Sequence, residues 1–226
     1  TKAGKLERFF PNYAQKLVLK KIREKIAAGK PVRLIFLKAR QVGMSTLSEA
    51  LVYALTSRRE AFNSMIIADD DEGSKALFEM NKLFYEREEA FQRPELEKSN
   101  EIALSFSELK SKIFVETARN KNAGRKHTLH CVHISELSRF PYPKDIKLGI
   151  QNAVPDMPET FVFMESTPNG LNDFYDDCQA AMNGRNGYEL IFIPWFFDPN
   201  YKLQAFNFQI TEEEQVLKDY VKKRFD

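Results

Sequence analysis

The stretch Leu34-Ile35-Phe36-Leu37-Lys38-Ala39-Arg40-Gln41-Val42-Gly43-Met44-Ser45-Thr46-Leu47 joins an apolar run to a helical pattern through a polar loop. Val32 to Leu37 reads as a strand. Lys38 to Met44 reads as a loop, and Ser45 to Thr56 as a helix with Leu47, Ala50, Leu51 and Ala54 at packing intervals. A phosphate-binding loop needs this order: a buried strand, a tight turn that exposes successive backbone N–H groups, and a helix whose N-terminus faces the anion. Gly43 has the conformational freedom for the turn, and Ser45 stands where a hydroxyl reaches Mg²⁺. The stretch departs from G-x-x-x-x-G-K-S/T at two places. Aligned on Gly43 and Ser45, Lys38 replaces the first glycine and Met44 replaces the lysine. Positive charge against phosphate oxygens then falls to Lys38 at the loop entrance or to Arg40 inside it. The alternative is a turn capped by Gly43 with solvated charges.

Outward from this loop the same alternation continues. Tyr13 to Ala28 carries Leu17, Val18, Ile22 and Ile26 on one helical face, with Asn12 as N-cap and Gly29 as C-cap. Strands are expected at Ser64–Ala68, Ile102–Phe106, Lys112–Glu116, Leu129–Ile134, Thr160–Met164 and Tyr188–Pro194. Helices are expected at Glu72–Tyr85, Ile146–Val154, Asn172–Met182 and Thr211–Phe225. Such succession predicts an α/β fold, a mostly parallel central sheet with helices on both faces. Right-handed crossovers then bring the loops after Leu37, Ala68, Ile134 and Met164 to one edge.

Composition narrows the class. A chain of 226 residues buries roughly 70% of its extended surface on folding, so it needs no covalent staple. Two cysteines, Cys131 and Cys178, exclude a disulfide scaffold and a four-cysteine metal site. No apolar run approaches the roughly 20 residues of a membrane helix. The opening TKAGKLERFF has no apolar segment of the kind a secretory leader carries. A cytosolic enzyme or machine part is expected, without membrane association. With 34 basic and 32 acidic residues, the net charge of +2 is too small to argue for nucleic acid by itself.

Two further strand ends carry chemistry. Leu129-His130-Cys131-Val132-His133-Ile134-Ser135-Glu136 runs into a carboxylate, as a hydrolytic site requires to orient and deprotonate water. An acid of this type at a strand end could also cap a helix. The usual pair there is Asp-Glu. Here Ser135 must serve Mg²⁺ by a hydroxyl or a water, which leaves one carboxylate fewer. His130 and His133 point to opposite faces of one strand, so they read as structural or supporting histidines, not as a zinc pair. Glu165-Ser166-Thr167-Pro168-Asn169-Gly170 follows the next strand as a polar turn whose hydroxyls and amide are placed to sense a phosphate. Ala118 to Lys126 is a basic loop containing Arg119, Lys121, Arg125 and Lys126.

Taken together, K-A-R-Q-V-G-M-S-T, the Ser135-Glu136 strand end and Ser166-Thr167-Pro168-Asn169-Gly170 resemble the large terminase subunits of tailed bacteriophages, over residues 8 to 200. In some of these ATPases the lysine has moved to the first loop position. The resemblance implies a P-loop NTPase fold of the additional-strand, RecA-like type. It implies ATP and Mg²⁺ as cofactors and a loop from Lys38 to Thr46 holding nucleotide. Lys38 and Arg40 would meet phosphate, Ser45 with Ser135 and Glu136 would hold the metal, and Glu136 would be the base. Residues 166–170 would couple ATP state to DNA movement. Phe10 to Gln15 resembles an adenine-recognising segment, with Gln15 offering the donor and acceptor that an adenine edge needs; an exposed helix glutamine is the alternative. Arg125 matches an arginine that reaches a neighbouring subunit's ATP. Arg119 competes for that role, and a DNA- or solvent-facing loop is a further reading.

The implied function is ATP-driven translocation of double-stranded viral DNA into a procapsid. Its partners would be DNA, a ring of copies on the portal protein, and the small terminase subunit. Its location would be the cytoplasm of the infected bacterial host, transiently on the procapsid. Residues 1–195 are expected to form the ATPase core and 196–226 the start of a linker or lid; the C-terminal nuclease of that family has no counterpart here. A helicase-like or recombinase-like ATPase, or a catalytically inactive nucleotide-binding module, fits the same loops.

Overall fold

The structure, a computed structural model, describes residues 7–125, 127–198, 201 and 209–225. The elements are α1 (Tyr13–Ala27), β1 (Val32–Lys38), α2 (Met44–Thr56), β2 (Asn63–Ala68), α3 (Asp71–Arg87), β3 (Leu96–Ser99), β4 (Ala103–Phe106) and β5 (Ser111–Thr117). After them come β6 (Cys131–Ser135), α4 (Pro143–Ala153), β7 (Phe161–Ser166), α5 (Asp173–Met182), β8 (Glu189–Ile193) and α6 (Glu212–Phe225). Among the described residues, no helix is long and apolar enough to cross a membrane.

One eight-stranded sheet runs in the order β3-β4-β5-β2-β6-β7-β1-β8. The strands from β5 to β8 pair in parallel, whereas β3 and β4 add an antiparallel margin. The expected mostly parallel sheet is present, and so are the helices on its two faces. The physical cause is visible in the period-two alternation of side chains. Leu34, Phe36, Ile66, Phe161 and Phe163 turn to one face and pack with Val18, Leu47, Val52 and Phe78 of α1, α2 and α3. Ile35, Met65, Ile67, Val132 and Val162 turn to the other face, against Ile146, Ile150, Phe174 and Cys178 of α4 and α5. Strands buried on both faces read as continuous apolar runs, and these do.

Three of the differences from expectation have local reasons. Strand β3 was not expected: Leu96-Glu97-Lys98-Ser99 is an exposed margin strand without an apolar stripe. Leu129 and His130 precede β6, where their backbone N–H groups bond Ala153 and Asn63 in a lead-in turn. Helix α4 begins at Pro143, whose fixed φ suits a first helical position, three residues before the first buried apolar residue, Ile146.

Because β1, β2, β5, β6 and β7 are parallel, their C-terminal ends lie on one edge. Lys38, Ala68, Thr117, Ser135 and Ser166 close these strands there. Ligands of open parallel sheets bind outside these carboxyl ends.

Candidate functional site

The loop from Ala39 to Gly43 is held in shape by backbone conformation and by helix α1. Gln41 and Gly43 both adopt positive φ, 55° and 77°. Asn12 and Gln15 form a capping box at the start of α1, with Gln15 Oε1 accepting from Asn12 N at 2.8 Å. From there Gln15 Nε2 donates to Gly43 O at 2.6 Å, and Asn12 Nδ2 donates to Val42 O at 3.2 Å. Helix α1 therefore clamps the loop. The amide expected to read an adenine edge is engaged in this clamp instead, and Gln15 is buried. Capping and clamping use both ends of its side-chain amide.

Met44 and Val42 are also buried, their side chains turned into the α1–α3 core. Only their backbones face the loop, so neither carries charge or polarity to a ligand. Arg40 and Gln41 are exposed, and Ala39 and Thr46 are half-buried. The Arg40 carbonyl accepts from Tyr201 Oη at 2.8 Å, and the Tyr13 ring meets Phe197 edge-on at 5.4 Å. The segment entering the expected linker thus leans on the loop and on α1; residues 199–200, 202–208 and 226 of it lie outside the described residues.

The strand ends converge. Lys38 is 6% exposed, and its Nζ lies 3.0 Å from Glu136 Oε1. Glu136 adopts a left-handed φ of 57°, uncommon for a residue with a Cβ and a form of strain that clusters at functional sites. Its other oxygen, Oε2, accepts from Ser166 Oγ at 3.3 Å and from the backbone N and Oγ1 of Thr167, both at 3.4 Å. Ser166 Oγ also bonds Ser138 Oγ at 2.7 Å, and Asn169 Nδ2 donates to Ser138 O at 3.3 Å. Gly170 completes the turn at a φ of 72°, after Pro168. The two strand-end motifs therefore form one network around the Glu136 carboxylate.

A second network, buried except at Ser45, lies beneath the first and was not expected as a unit. Alternation along β6 and β7 puts His133, Ser135 and Glu165 on the face that packs against α2, which contributes Glu49. His133 Nδ1 meets Glu49 Oε1 at 2.5 Å, and its Nε2 lies 3.2 Å from Glu165 Oε1 as an ion-pair contact. Glu49 Oε2 accepts from Asn81 Nδ2 of α3. Glu165 Oε1 also accepts from Ser45 Oγ at 2.5 Å and from Ser135 Oγ at 3.1 Å. Burial alone would lower the His133 pKa, but its bonds and charge contacts with Glu165 and Glu49 outweigh burial and push it up to about 9. Burial works to raise Glu165; His133, the Lys38 charge and the Ser45 hydroxyl overcome it and bring the carboxyl down to about 2. Glu49 stays raised, because burial exceeds the help from His133 and Asn81. His133 is thus the supporting histidine that its strand position implied. Its neighbour His130 stacks on Phe62 at 5.1 Å, and its Nδ1 accepts from Asn63 N at 3.1 Å.

Can these residues hold Mg²⁺? Among the described residues, no group of three or more His, Cys, Asp and Glu side chains is arranged as a complete metal cage. Mg²⁺ of a phosphate loop does not use one: it takes a hydroxyl, one or two carboxylates, phosphate oxygens and water. Ser45 and Ser135 offer oxygen donors, and Glu165 Oε2 is a buried carboxylate oxygen with no hydrogen-bond partner among the described residues. The residues fit the ion.

The fold can now be compared with known structures. No family model matches the chain. The ATPase domain of the large terminase of Thermus phage P74-26 is similar to it, at 17% identity over 82% of this chain and 81% of that one, with a TM-score of 0.60. The large terminase of bacteriophage HK97 is similar at 14% identity over 95% of this chain and 43% of that one, with a TM-score of 0.65. The large terminase of a thermophilic bacteriophage, solved with ADP, gives 12% identity over 96% and 51%, with a TM-score of 0.63. The fold is that of large-terminase ATPase domains. The chain spans about half the length of the two whole terminases.

Arg125 is not brought to this site within the chain. The loop from Ala118 to His130 leaves β5 at the site edge and returns to the start of β6 at the opposite edge. Arg119 stays at the site edge, 3.8 Å from Asp71 at the start of α3. Arg125, further along, lies over Gly149 of α4, with Nη2 3.6 Å from Asp145 Oδ1. Lys126 lies outside the described residues.

Proposed function

We propose that the chain is an ATPase that drives double-stranded viral DNA into a procapsid as the motor part of a large terminase. The observation that carries this reading is the convergence of Lys38, Glu136 and Thr167 at the mouth of a phosphate-type loop, with separations of 3.0 and 3.4 Å. In the proposed reaction the backbone N–H groups from Arg40 to Thr46 cradle the phosphates at the start of α2, while the Ala39 N–H holds the loop entrance to Ile193 O at 2.9 Å. Lys38, relocated to the end of β1, exchanges its ion pair with Glu136 for one with phosphate oxygens, and Arg40 offers a second charge from the solvent side. Release from Lys38 frees Glu136 to orient water and accept its proton. The Ser45 hydroxyl would hold Mg²⁺, which would supply positive charge against the phosphates. Thr167 and Ser166 hold the second Glu136 oxygen, so any change at the γ-phosphate moves the Ser166–Gly170 turn. That contact is the proposed outlet from chemistry to DNA movement.

The wider assignment follows the same reading: residues 1–195 as ATPase core, 196–226 as the start of a linker or lid, and work on a portal-bound ring with the small terminase subunit and double-stranded DNA. The setting is the cytoplasm of the infected host and, transiently, the procapsid. The test is steady-state ATP turnover in Mg²⁺, with and without double-stranded DNA. Glu136→Gln keeps size and hydrogen bonding but removes the base, so nucleotide should still bind while turnover falls by about 10²–10⁴. Lys38→Ala should lose about 10²–10³ in turnover by removing charge stabilisation. Wild-type protein that binds ATP but does not turn it over, alone or on DNA, would make the site a binding module. Near-wild-type turnover by Lys38→Ala would pass the phosphate role to Arg40.

A further inference from the structure

Strand β6 ends on Ser135, at the position where a hydrolytic nucleotide site ordinarily carries a metal-directed carboxylate, and a serine hydroxyl brings no charge. One strand away, β7 places Glu165 level with it: Ser135 and Glu165 are direct partners in the parallel register. Glu165 is 0% exposed, in a strand whose other residues are Phe, Val, Phe, Met and Ser. A carboxylate there is costly to bury without compensating partners. Its Oε1 carries all the contacts, to Ser45 Oγ, Ser135 Oγ and His133 Nε2, whereas Oε2 has none among the described residues. The arrangement links the loop hydroxyl and the strand-end hydroxyl through a single carboxylate and leaves that carboxylate one free oxygen. His133, held from the far side by Glu49, which in turn accepts from Asn81, compensates its charge and fixes its position.

We propose that Glu165 is the carboxylate of the Mg²⁺ site, displaced from β6 to β7, and that Ser135 serves the site by orienting Glu165. This rests on the nucleotide-site reading above. It reassigns the charged metal-site residue to the position just before the Ser166–Gly170 turn, and it separates the metal carboxylate from Glu136, which remains the base. His133 and Glu49 are positioning residues: they act only through Glu165.

The experiment measures the binding of a fluorescent ADP analogue to the full chain in EDTA and across a Mg²⁺ titration, for wild type, Glu165→Gln and the double variant Ser135→Asp/Glu165→Gln. Glu165→Gln is expected to raise the Mg²⁺ concentration for half-maximal enhancement of binding by tenfold or more. Affinity in EDTA should stay within about twofold, because no metal interaction is then present to lose. The double variant returns one carboxylate to the end of β6 and keeps the charge of the buried cluster, and it should recover the Mg²⁺ response. An unchanged Mg²⁺ response in Glu165→Gln would overturn the proposal, as would an equal loss of affinity in EDTA and in Mg²⁺, which marks a merely structural carboxylate. If Glu165→Gln does not fold, the double variant decides: a Mg²⁺ response like that of wild type supports relocation, and none overturns it. Wild-type protein that binds no nucleotide at any Mg²⁺ concentration would instead sink the nucleotide-site reading, and this proposal with it.

Discussion

The clamp between helix α1 and the phosphate-type loop makes a quantitative prediction through Gly43 and Gln15. Gly43 sits at a φ of 77°, and a Cβ added there would come within 2.9 Å of Gln15 Nε2. Holding an alanine in the left-handed region costs about 1–2 kcal/mol. The close contact is with a side-chain end, which could swing away, but Nε2 is pinned by its bond to Gly43 O and Oε1 by Asn12 N. Displacing the amide forfeits about 1 kcal/mol of hydrogen bonding. Gly43→Ala should therefore destabilise by about 2–3 kcal/mol. Gln15→Ala should cost about 1–2 kcal/mol, since Asn12 N loses its acceptor while Gly43 O keeps Leu47 N at 3.1 Å. In the double variant the clash is gone, and only the backbone term of Gly43→Ala remains. The two changes should fall short of additivity by about 1 kcal/mol, beyond the 0.3–0.5 kcal/mol scatter of independent sites. Urea unfolding followed by circular dichroism measures all four corners of the cycle. Binding of a fluorescent ADP analogue to the same proteins should weaken in both single variants. Additive losses in stability would refute the clamp, because they would mean that Gln15 and Gly43 do not meet in solution.

The remaining predictions concern the basic loop and the thiols. If Arg125 acts on a neighbouring subunit's ATP, mixing Arg125→Ala with Glu136→Gln subunits should restore activity at interfaces that pair an intact Glu136 with an intact Arg125, against a loss of about 10³–10⁵ for a missing trans arginine. No rescue in assemblies that form normally would return the role to Arg119, which already stands at the site edge beside Asp71; a change only in DNA affinity and its salt slope would make Arg125 a phosphate contact. Burial raises both thiols, Cys178 to about 11 and Cys131 higher still. At pH 8 the thiolate fraction of Cys178 is then about 10⁻³, against roughly a quarter for an ordinary cysteine. Iodoacetamide labelling at pH 8 should thus be slow in the native protein and become fast in urea, and rapid native labelling would contradict the packing of α5 on the sheet.

How much of this was legible in the sequence follows from how each signal is encoded. The parallel strands of the core announced themselves because burial on both faces demands continuous apolar runs, and Val32 to Leu37 or Phe161 to Met164 leave no other reading. Strand β3 carries no such signal, since it exists by backbone pairing with β4 and has no apolar face to bury. The loops at the strand ends were legible because each polar turn directly follows such a run. The Asn12–Gln15 capping box was also written in the sequence, as a cap residue followed three positions later by an amide. The further bond of the Gln15 amide to Gly43 O was not legible, because it depends on how α1 packs on the loop. The placement of Arg125 was not legible for a different reason. Nothing in a basic loop states how far along it the chain leaves the site edge.

The buried network is the instructive omission, because it had a signal of another kind. Glu49 lies in a helix otherwise composed of small and apolar residues around its buried face, and Glu165 interrupts an apolar strand. A carboxylate in either setting must find a partner or forgo its charge. Neither rule names the partner, and none of the three residues is near another in sequence. What joins them is the strand order: β6 lies between β2 and β7, directly under α2, so His133 is the basic side chain placed between both acids. That order is a property of the whole sheet, settled by crossovers that no local window contains. It follows that the Ser135 departure cannot be judged by its own strand. On the proposal made for Glu165, the charge absent at the end of β6 and the charge present in β7 belong to one site, and the fold is what makes the two positions adjacent.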